Sequence, residues 1–271
     1  MSEGWGTGVG VSIHAYDAVV AEPGTHRGTP SPTVTFVLPV GRQLDVGWQG
    51  EPATRVRQWS TVSGLHTRPA IIHHDGTEAG VQLGLTAGAC RTVLGVPAAA
   101  VAGELLEVAT LLERAPWLTE LPERLAACHP DERAPLVRRA IARSLAEQHR
   151  PVAPAVAEAL RLLGRGTRVG EAAEAVGYSR RRLSTLVRAE TGVDPQTYAR
   201  LARLERARSV VVDRLRAGAG DEVRLADVAA TAGYADHAHL TREWQALVGC
   251  APTTWLREEF PMLQAEVVVA A

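Results

Sequence analysis

The chain has 271 residues, 46% of them hydrophobic, and a formal net charge of −1. That composition fits a globular protein with room for two domains of ordinary size, and it excludes a polycation that acts through bulk charge. The charge is nevertheless uneven: residues 161–216 carry 13 arginines against 6 acids, residues 217–271 carry 3 against 8, and residues 1–150 carry 13 against 15.

All 29 basic residues are arginine, which suits a GC-rich coding sequence and is not read as a choice made position by position. Cys90, Cys128 and Cys250 stand far apart with no paired spacing, against a disulfide framework or a zinc site and in keeping with a reducing cytoplasm. The opening MSEGWGTGVG has neither a basic nor an apolar leader region, so no signal peptide is expected. No run approaches about 18 apolar residues, so no membrane span is expected.

Along the chain, six short segments read as β-strands: VSIHAYDAVV, TVTFVLPV, LDVGWQ, RVRQWSTV, AIIHH and GVQLGLT. Connections such as PGTHRGTPSP and HDGTE separate them. They predict a small barrel or rolled sheet, which could close round a ligand pocket. After Gly95, VPAAAVAG predicts a short helix with Pro97 at its first position, and Leu105–Val108 one more short strand. ATLLERA, WLTELPERLAAC and DERAPLVRRAIARSLAEQ read as helices, the last with Asp131 as cap or first-turn acid. HRPVAP, 149–154, is the best domain boundary, since two prolines in four residues interrupt helix. It divides the chain into 1–150, a β-rich sensing or partner-binding domain with a helical subregion, and 151–271, an all-α domain. The fold class expected is α+β.

The most informative stretch follows, VGEAAEAVGYSRRRLSTLVRAETG at 169–192. Ala172, Ala173 and Val176 form an apolar face, Gly177 ends the first helix in a positive-φ conformation, and Ser179 caps the next. There Leu183, Leu186 and Val187 share one face. Arg181, Ser184, Thr185 and Arg188 fall at i, i+3, i+4 and i+7, one exposed stripe of the kind that base-edge and phosphate contacts need. Arg180 and Arg182 flank it as phosphate contacts. By itself such a stripe fits equally a solvated face on an ordinary helical hairpin. A long helix from Pro195 to about Leu215 follows, with Leu201, Leu204 and Val211 inward, and AGAGDE then makes a flexible turn.

Residues 224–255 repeat the pattern. Gly233-Tyr234 answers Gly177-Tyr178 at an offset of 56, and after one extra residue Leu240 answers Leu183 and Gly249 answers Gly192 at 57. Leu240, Trp244 and Leu247 face inward, while Ala238, Thr241, Arg242 and Gln245 form the second stripe, flanked by His237 and His239. A duplicated helix-turn-helix on one long helix is far more specific than either copy alone.

Through A-x3-GYS-x3-L, G-x2-P-x2-Y, LADVA-x3-GY, HLTREWQ and G-x2-P-x2-W, residues 155–258 resemble the DNA-binding domain of AraC/XylS-family transcriptional regulators. The resemblance implies that one helix of each copy enters successive major-groove segments of double-stranded DNA, with the long helix setting a spacing near one duplex turn, roughly 34 Å. It also implies RNA polymerase as a partner. Two positions depart from the family: Val187 stands where Phe is usual, and Ala238 leaves the second stripe without a polar head. PGTHRGTPSPTVTFVLPV, SGLHTRPAIIHHDG and GVQLGLTAGACRTVLGVPAAAVAG resemble an N-terminal domain of undefined ligand found in actinobacterial members.

The expected function is therefore a cytoplasmic, sequence-specific transcription regulator, not an enzyme, controlled by a signal at the N-terminal domain. A small-molecule effector and a homodimer are both compatible with it, and no cofactor or membrane partner is expected. The alternative is a cupin-like β-barrel metalloenzyme with a vestigial DNA-binding tail; a third reading gives the front half only dimerisation or protein contact. His14, His26, His66, His73 and His74 invite the metal reading. Yet His73 and His74 are strand neighbours pointing to opposite faces, and these front-half histidines form no H-x-H with a following Glu at cupin spacing. Cys90 and Cys128 read as packed thiols and lack the activating setting of a repair methyltransferase. Gly4, Gly6, Gly8 and Gly10 lack the spacing of a phosphate loop. Arg161, Arg165, Arg200, Arg203, Arg206 and Arg208 are expected to be solvated or paired within their helices.

Overall fold

The computed structural model describes residues 10–19, 22–111, 116–147, 152–217 and 223–259. Gly4, Gly6 and Gly8, the first half of HRPVAP, the end of ATLLERA and all but the first residue of AGAGDE lie outside them.

Among the described residues the N-terminal part carries nine strands: β1 (Val11–Val19), β2 (Gly24–Gly28), β3 (Val34–Pro39), β4 (Leu44–Trp48), β5 (Val56–Gln58), β6 (Thr61–Ser63), β7 (Ala70–His74), β8 (Thr77–Leu85) and β9 (Leu105–Glu107). They form two sheets of antiparallel pairs, β1-β8-β3-β6-β9 and β2-β7-β4-β5. Period-two burial explains the larger sheet: Val34, Phe36 and Leu38 on β3 and Val81, Leu83 and Leu85 on β8 are fully buried, with Phe36 paired to Leu83 on one side and Val62 on the other.

Three local readings change. The polar stretch expected to connect strands contains β2, because its backbone pairs with β7 from Gly24–His74 to Gly28–Ala70. RVRQWSTV breaks into β5 and β6, which belong to different sheets. Pro97 caps a 3-10 turn at Ala98–Val101 rather than opening a helix. Near Tyr16, Arg42, His73 and Glu78 the β-domain has a pocket of only 10 Å³, space for about one water.

Helices follow: α1 (Ala87–Leu94), α2 (Leu121–Ala127), α3 (Pro130–Glu147), α4 (Pro154–Gly164), α5 (Val169–Ala175), α6 (Arg180–Thr191), α7 (Pro195–Arg216), α8 (Leu225–Ala232) and α9 (His237–Val248). Residues 252–259 are also helical. Asp131 lies in the first turn of α3, where its charge suits the helix dipole. In α7, Leu201, Leu204, Ala207 and Val211 are all nearly fully buried; they turn one face of the rod toward α4 and α8. No helix among the described residues is long and apolar enough to cross a membrane.

Candidate nucleic-acid interface

The two reading units are built alike at the level of single hydrogen bonds. In the first, Gly177 has φ +71° and the Tyr178 N–H donates to the Ala173 carbonyl at 2.9 Å. In the second, Gly233 has φ +83° and the Tyr234 N–H donates to the Ala229 carbonyl at 2.9 Å. Both are the six-to-one closure that ends a helix on a left-handed glycine. Each second helix then starts on a side-chain cap: the Ser179 hydroxyl accepts from the Arg182 N–H at 3.2 Å, and the Asp236 carboxylate accepts from the His239 N–H at 2.7 Å. The hydrogen bond from His239 holds the Asp236 carboxyl below its ordinary range, helped by the charge of Arg242.

The offset changes from 56 to 57 because Ala235 is inserted between the tyrosine and the cap. The wider turn is held by the His239 ring, which accepts from the Ala235 N–H through Nδ1 at 3.4 Å and stands edge-on to Tyr234 at 5.2 Å. His239 therefore serves the turn, while His237 is exposed at the start of α9.

Leu183 and Val187 of α6, and Leu240, Trp244 and Leu247 of α9, are buried. That orientation leaves the two stripes outward. Arg181, Thr185 and Arg188 are exposed and Ser184 is half-buried; Arg242 and Gln245 are exposed, with Ala238 and Thr241 half-buried. The hydroxyls of Thr185 and Thr241 donate to the Arg181 and His237 carbonyls one turn back, which leaves their lone pairs free to accept. Arg180 lies over Gly170 of α5, where a Cβ would meet its guanidinium at 2.6 Å. Arg182 stacks on the Tyr178 ring at 4.9 Å.

Among the described residues the guanidinium groups of Arg181, Arg188 and Arg242 make no hydrogen bond or ion pair. Other arginines of this half are engaged. Arg161 pairs with Glu158 and Arg208 with Glu205 within their helices, as expected. Arg200, Arg203 and Arg206 depart from the solvated state expected of them. Arg200 and Arg203 reach Glu243 of α9, Arg203 also lies over the Tyr234 ring, and Arg206 donates to the carbonyls of Gly164 and Ala232. Helical periodicity shows which way a side chain leaves its helix but not what stands opposite, so these three cross-links to α4, α8 and α9 were invisible in the sequence. Asp236 was missed as well, although its place between a Gly-Tyr turn and an apolar-periodic run is a cap signal.

No group of three His, Cys, Asp or Glu side chains placed to hold a metal ion occurs among the described residues. His26 instead sits between two carboxylates, 3.1 Å from Glu78 and 3.5 Å from Glu259. Burial of the Cys90 thiol pushes it up to about 12, assisted by Glu190, the opposite of an activated nucleophile.

Residues 172–258 match the family model described as a helix-turn-helix domain. No curated protein matches the chain. Among solved structures, ToxT from Vibrio cholerae O395 is similar with a TM-score of 0.51 at 10% identity, over 93% of this chain and 98% of that one. An apo ToxT variant from the same species gives 0.54 at 10% identity over the same shares. Wild-type ToxT from Vibrio cholerae with an unsaturated fatty acid bound gives 0.50 at 9%, over 92% and 95%. At such identity the likeness shows a shared fold, and it runs through both the β-rich front and the helical end. With two capped reading units on one rod inside the matched region and both stripes facing solvent, the chain is a DNA-binding transcription regulator that carries a helix-turn-helix domain at 172–258.

Proposed function

We propose that residues 151–271 read a bipartite DNA site, α6 and α9 each entering a major-groove segment on one side of the duplex, and that residues 1–150 report a signal to them. The observation that carries this reading is the set of exposed guanidinium groups that make no hydrogen bond or ion pair among the described residues, Arg181 and Arg188 on α6 and Arg242 on α9, where neighbouring arginines are engaged. Arg181, Arg188 and Arg242 serve as base or phosphate contacts. Ser184, Thr185, Thr241 and Gln245 add short polar contacts, Arg180 and Arg182 hold phosphate, and His237, Ala238 and His239 border the second reader. Because Ala238 brings no polar atom, the second unit discriminates fewer base pairs than the first.

The signal is a small molecule. A cleft of 610 Å³ opens between the β-domain and the rod, lined by Thr86 and Ala87 on one side and by Leu160, Tyr198, Ala202 and Arg206 on the other. Its apolar walls with a few polar groups have the make-up of a ligand site, and the similar ToxT is described with a fatty acid bound. The protein works in the cytoplasm; RNA polymerase as a partner and a homodimeric state rest on the family resemblance.

The test begins by selecting a cognate site from random duplexes. Arg181→Ala should then cost about 1–3 kcal/mol on that site and relax preference at one base pair. Equal weakening on cognate and random DNA would show that Arg181 does not read a base. Affinity should also fall steeply with salt, with a smaller slope in variants lacking Arg180 or Arg182; a flat response would remove the basic surface from the mechanism.

A further inference from the structure

The reading units are duplicated, and the rest of the chain holds them at the same point twice. Helix α6 ends on Gly192 at φ +82° and α9 on Gly249 at φ +77°, equivalent positions in the two copies. Each cap lies against the N-terminal domain, Gly192 on a fixed alanine and Gly249 on the end of a glutamine side chain that can swing aside. A Cβ on Gly192 would lie 2.2 Å from the Ala102 Cβ, and one on Gly249 would lie 2.3 Å from the Gln49 Oε1.

Beside each cap an arginine of the N-terminal domain forks onto a carboxylate of the reading unit. At the first, Arg91 of α1 donates to Glu190 through Nε at 3.1 Å and through its second terminal nitrogen at 2.7 Å; Glu190 is only 6% exposed. At the second, Arg27 of β2 donates through Nε to Glu258 at 2.7 Å and through Nη1 to the Gln49 side chain at 3.0 Å. The Arg27 backbone N–H donates to Glu259 at 2.8 Å, and His26 reaches the same Glu259. These two anchors come from unrelated elements, a helix and a sheet edge, and they end differently: Glu190 lies in the last turn of α6 itself, whereas Glu258 and Glu259 lie in the helix 252–259 that follows the α9 cap.

We propose that Arg91 and Arg27 are positioning residues for DNA reading: by gripping the caps of α6 and α9, the N-terminal domain fixes the distance and angle between the two recognition helices and so gauges the spacing of the half-sites. A planar fork on a carboxylate restrains rotation as well as distance. In the second unit, which α7 enters through α8, that restraint lies at the far end; in the first it lies beside the junction of α6 with α7. The inference rests on the DNA-reading function proposed above for its purpose, but the restraint itself exists without DNA.

The first measurement is therefore made on the free full-length protein. Spin labels on Thr185→Cys and Gln245→Cys, in a Cys128→Ser background, report the distance distribution between α6 and α9. Reference protein should give one narrow distribution. Arg27→Met should broaden or shift it, and this variant should fold because its partner Glu258 is already 34% exposed on its side chain and can turn to water. Arg91→Met with Glu190→Gln removes the other grip without leaving a buried bare charge, and Arg27→Lys, which keeps charge but not the fork, should recover only part of the order. Unchanged distributions in both grip variants, with melting curves that confirm folding, would overturn the proposal and leave α7 as the sole spacer.

The second measurement uses selected duplexes whose half-sites are moved by about 5 base pairs, half a turn. Reference protein should lose about tenfold or more in affinity, whereas the grip variants should lose that discrimination while still binding a single half-site. Failure of the reference protein to select any duplex would strike the DNA-reading function and leave the distance result standing.

Discussion

At the scale of single residues, the two copies differ most at their tyrosines. Tyr178 is half-buried beneath Arg182, and Tyr234 is only 5% exposed, with its hydroxyl buried and without a hydrogen-bond partner among the described residues. Burial pushes that phenol well above its ordinary value, with Glu243 adding to the effect. An unpaired buried hydroxyl costs stability that a hydrogen atom in its place would not, whereas the ring contacts with His239 and Arg203 need only the aromatic face. Tyr234→Phe should therefore leave the fold intact and raise stability by up to about 1 kcal/mol, read from thermal or denaturant unfolding. A loss of similar size would mean that the hydroxyl is satisfied in solution and belongs to the turn.

At the scale of elements, the sequence was most legible where the signal is local. Gly177 and Gly233, Ser179, and the spacing of Leu183 with Val187 and of Leu240 with Trp244 place both helix-turn-helix units within a residue or two, because caps and a 3.6-residue repeat are written in neighbouring positions. Strand β2 was missed for the opposite reason. Gly24–Gly28 has no apolar alternation of its own, and it becomes a strand only because β7, some 45 residues on, offers it a backbone partner. The exposed stripes were equally legible as directions in space. What could not be read was that their guanidinium groups stay out of ion pairs among the described residues, since Arg200 and Arg203 look no different in sequence from Arg181 until Glu243 is seen 43 and 40 positions away on a facing helix. Glu190 is the sharpest case. In an exposed basic helix it reads as a solvated acid, and in the folded chain it is buried against Arg91, 99 positions earlier.

At the scale of the whole molecule, the joint between its halves has an electrostatic part beside its apolar one, and one of its charged members titrates. Burial alone disfavours the His26 cation, but its hydrogen bonds to Glu259 and Glu78, together with their charges, outweigh it and push the imidazole up to about 10 from 6.5. A group whose pKa is raised on folding contributes its full stabilisation below the unfolded value and loses it as pH climbs through the folded value. The His26 contribution is thus whole below pH 6.5 and fades toward pH 10. Neither His74 nor Arg27, which face it, shares that window. His74, whose ring centroid is 6.0 Å away, is pushed down by burial, Glu78, Glu258 and Glu259 carry carboxylates, and Arg27 remains a cation. Burial keeps the Cys90 thiol and the Tyr198 phenol near 12 and raises the Cys250 thiol, so these buried groups stay protonated across most of the same range. Melting temperature should accordingly fall between pH 7 and 10 in the natural chain, and His26→Gln, neutral throughout, should start lower and fall less. Should both proteins show the same slope, the charge on His26 does not tie the reading end to the β-domain, and the second grip rests on Arg27 alone.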